Sequence, residues 1–146
     1  MKALLSASVT LEIPFFDVDS MGITWHGNYL RYFEIARCKL LEKIDYGYRQ
    51  MLDSGYSWPI VDARVKYVKP TTFEQHIRVI AQLVEWEHRL KIDYLIEDAQ
   101  SGERLTKGYT IQAAVEMHSK SLCLETPVAF RRQLQPWLTA AGEEVS

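Results

Sequence analysis

The sequence predicts an α+β fold in which one long helix is enclosed by a curled antiparallel sheet. Three observations carry this prediction. One helical face recurs between Tyr29 and Ile44, four later segments alternate with a period of two, and the connections between those segments are short and turn-rich.

Taken in order, Val9 to Phe15 reads as a short strand, and FFDVDSMGITWHGN reads as a loop. From Asn28 the pattern becomes helical. Tyr29, Phe33, Ala36, Leu40 and Ile44 step by four, three, four and four, which places them on one face. Leu30, Tyr32, Ile35 and Leu41 widen that face, so the helix should be covered on more than one side. Asn28 or Gly27 suits its start, and Gly47 falls near its end. After the turn-rich DSGYSWP, strands are expected at Ile60 to Val68, His76 to Trp86, Arg89 to Ile96 and Arg104 to Met117. Pro70, AQSGE and HSKS interrupt or close them. PVAFRRQLQPWL reads as a short C-terminal helix, and residues 140–146 as a disordered tail. Sequential strands with short connections pair antiparallel. One helix cannot cover both faces of such a sheet, so a homodimer or homotetramer is expected.

With 146 residues the chain should form one domain spanning 1–146. Its 47% hydrophobic and 25% charged content fits a water-soluble globular protein. A net charge of −2 offers no field for nucleic acid. No apolar run reaches the ~20 residues of a membrane span, and MKALLSASVTLEI lacks the long apolar centre of a secretory signal. The cytoplasm is therefore the expected location. Cys38 and Cys123 have neither metal-knuckle nor redox spacing. His76, His88 and His118 stand alone. H-E-x-x-H, phosphate-loop, dinucleotide and G-x-S-x-G patterns are absent from the sequence. Neither metal nor cofactor is expected.

The chemically informative segment runs from Phe15 to Arg37. Asp17 and Asp19 occupy a glycine-containing loop just before the helix, and His26 follows at its start. A helix N-terminus presents unpaired N–H groups and positive potential. Such groups polarise a carbonyl or hold a developing oxyanion. A carboxylate beside them can attack that carbonyl or activate water. These parts suit acyl transfer, although an Asp in a turn before a helix is most often a turn or cap residue. Two acids at i and i+2 on extended chain point opposite ways, so at most one should face a given pocket.

Phe15, Phe16, Asp17, Asp19, Gly22, Ile23, Trp25, His26, Asn28, Tyr29, Glu34, Ala36 and Arg37 together resemble the 4-hydroxybenzoyl-CoA thioesterase family. The resemblance is strongest to its bacterial acyl-CoA thioesterase branch associated with the Tol–Pal system. It implies a hotdog fold and hydrolysis of an acyl thioester carried by coenzyme A or an acyl carrier protein. It assigns the catalytic carboxylate to Asp19, as nucleophile or general base, and the carbonyl-polarising backbone N–H to His26. Asp17 then orders the loop. Trp25, Gly27, Tyr29 and Glu34 fall at the substrate site, and Arg89 near where relatives hold the coenzyme A phosphates. Thr24 and Trp25 depart from the Val and Tyr that relatives often carry, a difference that bears on substrate shape. The rival readings are a hotdog dehydratase or hydratase and a non-catalytic acyl-binding protein. The His-Gly-Asn-Tyr order after the loop argues against the dehydratase.

Overall fold

The computed structural model describes residues 4–142. Its main sheet has five antiparallel strands: β1 (Leu5–Glu12), β3 (Ile60–Tyr67), β4 (His76–Glu85), β5 (Leu90–Asp98) and β6 (Arg104–Gln112). A small pair, β2 (Tyr56–Ser57) with β7 (Val115–Glu116), closes one end. The helices are α1 (Tyr29–Glu42), α2 (Tyr48–Asp53) and α3 (Val128–Ala140), with 3-10 turns at Phe15–Asp17 and His26–Asn28.

The order across the sheet is β1-β4-β5-β6-β3. β4, β5 and β6 form the expected meander. β3 does not pair with β4. It lies at the far edge against β6, and residues 68–75 cross the end of the sheet to reach β4. Alternation along a strand reports which face is apolar, not which neighbour it takes. This crossover positions the site, because its Thr71 carbonyl accepts the Thr24 N–H at 2.8 Å and Thr72 bridges to Ile23.

α1 packs on the concave face of the sheet through Tyr29, Phe33, Ala36 and Leu40, all fully buried. Opposite them lie Ile77, Val79 and Ala81 of β4 and Ile92, Tyr94 and Ile96 of β5. Phe33 stacks on Tyr94 with ring centroids 4.4 Å apart. Gly108 of β6 permits this approach. A Cβ there would meet Phe33 Cε2 at 2.7 Å and collide with the Arg64 carbonyl.

Several boundaries differ from the sequence reading, and the single strand expected at Arg104 to Met117 divides into β6, which ends at Gln112, and β7, which pairs with β2. β1 begins at Leu5 and ends at Glu12, and Phe15 turns into a 3-10 helix after Pro14. α1 ends where Asp45 takes the left-handed conformation (φ 52°), with Tyr46 N–H bonded to the Leu41 carbonyl. Gly47 instead precedes α2, a short helix hidden in sequence because Met51 is its sole buried residue. The covering of α1 is also one-sided in the protomer, where Leu30 and Ile35 stay exposed. α3 forms as expected, burying Phe130, Leu134 and Leu138. The expected tail begins inside it at Ala140, and residues 143–146 lie outside the described residues.

Candidate active site

Asp17 is the hub of the loop. It is 4% exposed, accepts the Tyr32 hydroxyl at 2.7 Å, and forms an ion pair with Arg31. Its backbone carbonyl takes the Trp25 N–H and Asn28 Nδ2, each at 2.9 Å. Arg31 also donates to Asn28 Oδ1 at 3.2 Å. Burial, and then the bond to Asp17, pushes the Tyr32 phenol well above its ordinary value, so it stays a donor. The hydrogen bond to Asp17 likewise raises Arg31. A buried carboxylate held by a cation and a phenol is committed to structure.

Asp19 is its opposite. Val18 and Thr24 bridge a tight turn, closed by the Gly22 N–H on the Asp19 carbonyl at 3.0 Å. Gly22 has φ 78°, the left-handed conformation that glycine adopts without strain. The Asp19 side chain is exposed, and Oδ1 accepts the Met21 N–H at 2.8 Å. Oδ2 has no hydrogen-bond partner among the described residues. The two acids therefore diverge: Asp17 faces the fold and Asp19 faces outward.

His26 opens the 3-10 turn that runs into α1, with an exposed ring 5.0 Å from that of Trp25. Its N–H belongs to the first helical turn, where the helix itself provides no acceptor. The turn is held from β3, whose Tyr67 hydroxyl donates to the His26 carbonyl at 2.9 Å. Trp25 is exposed and its indole lies over Gly27, where any Cβ would collide with the ring. Asp19, Trp25, His26 and Gly27 thus share one loop, stitched together by Asp17.

The remaining candidates sit elsewhere in the protomer. Tyr29 is buried, and its hydroxyl bonds both Thr71 Oγ1 (3.1 Å) and Thr71 N–H (3.2 Å), so it supports the loop from beneath. Glu34 is exposed eight residues after His26, about 12 Å along the helix, and pairs with Arg37 at 3.4 Å. Arg89 lies in the β4–β5 turn, bound to Glu85 at 2.9 Å, at the opposite end of β4 from the Asp19 loop. Arg31, Tyr32, Tyr67 and Thr71 were not identified from sequence as parts of this site. The i, i+4 relation of Asn28 and Tyr32 hints at one face, but Tyr67 and Thr71 carry no local signal. Among the described residues no cluster of three His, Cys, Asp or Glu could hold a metal ion.

Known proteins share this architecture. A 1,4-dihydroxy-2-naphthoyl-CoA thioesterase from Synechocystis superposes with a TM-score of 0.79 at 17% identity, over 89% of this chain and 96% of that one. A DHNA-CoA thioesterase from Staphylococcus aureus gives 0.77 at 23%, over 96% and 97%. At such identities the likeness establishes the hotdog fold. In sequence, the chain is 26% identical over 140 residues to a 1,4-dihydroxy-2-naphthoyl-CoA hydrolase of Thermosynechococcus vestitus, covering 92% of this chain and 89% of that protein. It is 28% identical over 139 residues to YneP of Bacillus subtilis, provisionally named an acyl-CoA thioesterase, covering 89% and 91%. Residues 13–138 match the family model described as the thioesterase-like superfamily. The chain belongs to that superfamily.

Proposed function

We propose that Asp19 and the His26 backbone N–H together carry out the thioester hydrolysis characteristic of the superfamily. The observation that carries this reading is the divergence of the two loop carboxylates. Asp17 is buried and fully engaged, whereas Asp19 is exposed with one oxygen held only by its own turn. A carboxylate oriented by one backbone bond and open on its other oxygen suits either chemical role.

The thioester carbonyl oxygen accepts the His26 N–H, whose partial positive charge grows in value as the carbonyl becomes an oxyanion. In the general-base route Asp19 takes a proton from water, and the water oxygen bonds to the carbonyl carbon. The C–S bond then breaks and the thiolate leaves to be protonated. In the nucleophilic route the carboxylate attacks directly, expels the thiolate and leaves a mixed anhydride that water opens. Trp25 and Gly27 flank the reacting carbonyl, and Glu34 serves the acyl side. The substrate is an acyl-CoA or acyl-carrier-protein thioester. The coenzyme A substrates in the names of the relatives favour the first carrier.

Asp19→Asn is the decisive variant. Asn is nearly isosteric and still accepts the Met21 N–H, so the melting temperature should barely move. It neither attacks a thioester nor takes a proton from water near neutral pH. Thiol release should fall by about 10²–10⁴, the usual worth of a general base. A folded Asp19→Asn protein with wild-type turnover would overturn the assignment. Chelator treatment should leave the wild-type rate unchanged.

A further inference from the structure

The convex face of the sheet, turned away from α1, carries a shallow basin of about 570 Å³. Arg64 and Lys66 of β3, Lys91 of β5, and Arg104 and Lys107 of β6 line it, against a single acid, Asp93. The chain as a whole has a net charge of −2, so these cations are gathered rather than spread evenly. Arg64, Lys66, Arg104 and Lys107 are exposed, and none of them pairs with a carboxylate among the described residues. The neighbouring acids are engaged elsewhere: Glu97 pairs with Arg78 at 2.7 Å, and Asp62 accepts the Tyr109 hydroxyl at 3.2 Å. Lys66 and Lys107 are direct cross-strand partners on this face. Like charges placed opposite one another repel and cost stability, and a bound anion relieves that cost.

The extent of the basin identifies the anion. Arg104 and Ile111, which lies opposite Lys91, are seven residues apart on β6, or roughly 20 Å at about 3.3 Å per residue. Such a span suits several carboxylates on one helix face, where neighbours recur about every 5–6 Å, and far exceeds one diphosphate. A second copy of this chain presents the same cations and is repelled. We propose that this face docks the acidic surface of an acyl carrier protein, which delivers the thioester on its phosphopantetheine arm. The inference rests on the thioesterase reading above and decides its carrier: the names of the relatives favour coenzyme A, whereas the charge on this face favours the protein. Lys66 and Tyr67 are neighbours on β3 that face opposite ways, and the Tyr67 hydroxyl holds the His26 carbonyl. Basin and carbonyl site thus lie on the two sides of one strand end. A layer of sheet with its side chains takes up about 10 Å, which the extended arm exceeds. β3 stops at Tyr67, and the arm passes over the exposed Val68 that follows.

The test presents one acyl group, decanoyl, on a bacterial acyl carrier protein, on coenzyme A and on pantetheine. With wild-type protein, kcat/KM for the carrier-protein ester should fall about tenfold or more from low to high salt, as in electrostatically steered association, while the uncharged pantetheine ester stays within about twofold. Lys66→Glu with Lys107→Glu should lower kcat/KM for the carrier-protein ester by about tenfold or more and leave the pantetheine ester unchanged. Lys66→Gln with Lys107→Gln removes the repulsion without adding acids, so it should melt no lower than wild type and lose the same ester by a smaller factor. An equal fall for the carrier-protein and coenzyme A esters would overturn the proposal and assign the basin to phosphates. An unchanged rate on the carrier-protein ester would also overturn it. Fluorescence anisotropy of labelled carrier protein bearing the arm but no acyl group separates docking from catalysis. Binding to wild type that is lost in the Glu pair would uphold the docking face even if no ester were hydrolysed. Absence of such binding, with coenzyme A esters still hydrolysed, would refute the docking face and leave the thioesterase reading standing. Tighter binding to phosphatidylglycerol vesicles than to the carrier protein would assign the face to a membrane and refute the proposal.

Discussion

Asp17 and Asp19 are two residues apart and chemically identical, yet the fold gives them opposite fates. The difference is solvation. Asp17 is surrounded by Tyr32, Arg31, Asn28 and Trp25, so its charge is balanced and its carbonyl is spent on the loop. Asp17→Asn should therefore act on stability first. It removes the ion-pair partner of Arg31, whose side chain is half exposed and keeps its bond to Asn28, and weakens the bond from Tyr32. We expect a loss of about 1–3 kcal/mol, discounted for that exposure, read as a lower denaturation midpoint. Activity should fall only as far as the loop loosens, so the folded fraction should retain more turnover than Asp19→Asn. A fully folded, inactive Asp17→Asn protein would move the chemistry to Asp17. The sequence exposed this pair but not its partition. Asp17 is stabilised by Arg31 and Tyr32, fourteen and fifteen residues away. The loop is anchored by Tyr67 and Thr71, both more than forty residues distant from the groups they bond.

At the scale of elements, the strands and α1 were legible because a period of two and a helical step are direct consequences of backbone geometry. What was not legible depends on neighbours. α2 buries only Met51, so no periodic face marks it. β3 alternates like its companions but pairs with β6 rather than β4. Gly108 marks the contact that makes the α1–sheet packing possible, and Gly108→Ala tests it. The added methyl group must displace either the Arg64 carbonyl or the Phe33 ring. Overpacking of this kind costs about 1–3 kcal/mol, which chemical denaturation would resolve. The β5–β6 turn offers a test by pH. Asp98 accepts Gln75 Nε2 at 2.9 Å and the Ser101 and Gln100 N–H groups at 2.8 and 2.9 Å. These bonds, that from Gln75 foremost, hold its carboxyl at about 2. A depressed carboxylate adds stability that is present above the unfolded value of about 4 and lost as pH falls toward 2. Wild type should thus melt higher than Asp98→Asn at neutral pH, and the gap should close between about pH 4 and 2. A constant gap would show that the ionised carboxylate is not the source.

For the whole molecule, the open question is what covers β3. It is an eight-residue edge strand with exposed residues almost throughout, Ile60 at 48% and Val61 at 59% among them. Leu30 and Ile35 of α1 are also exposed. A long edge strand that mixes exposed Ile60, Val61 and Tyr67 with Asp62, Arg64 and Lys66 still offers its backbone for pairing, and stable proteins normally block or fill such an edge. A second copy fills it at no cost in new sequence, because an antiparallel two-fold pairing of β3 with itself is self-complementary. Such pairing would extend the sheet and cover the apolar side of α1 that one protomer leaves open. We therefore expect a homodimer, or a homotetramer built from it. Sedimentation at micromolar concentration should give at least twice the 17.0 kDa chain mass. Val61→Lys, which places a charge on the edge, should shift the distribution toward the monomer. Tyr67 links that edge to the reaction, since the strand it belongs to holds the His26 carbonyl. Disturbing the β3 contact should therefore lower thiol release along with the dimer fraction. A stable wild-type monomer with full activity would show that one protomer holds a complete site. A monomeric, fully active Val61→Lys protein would separate assembly from catalysis.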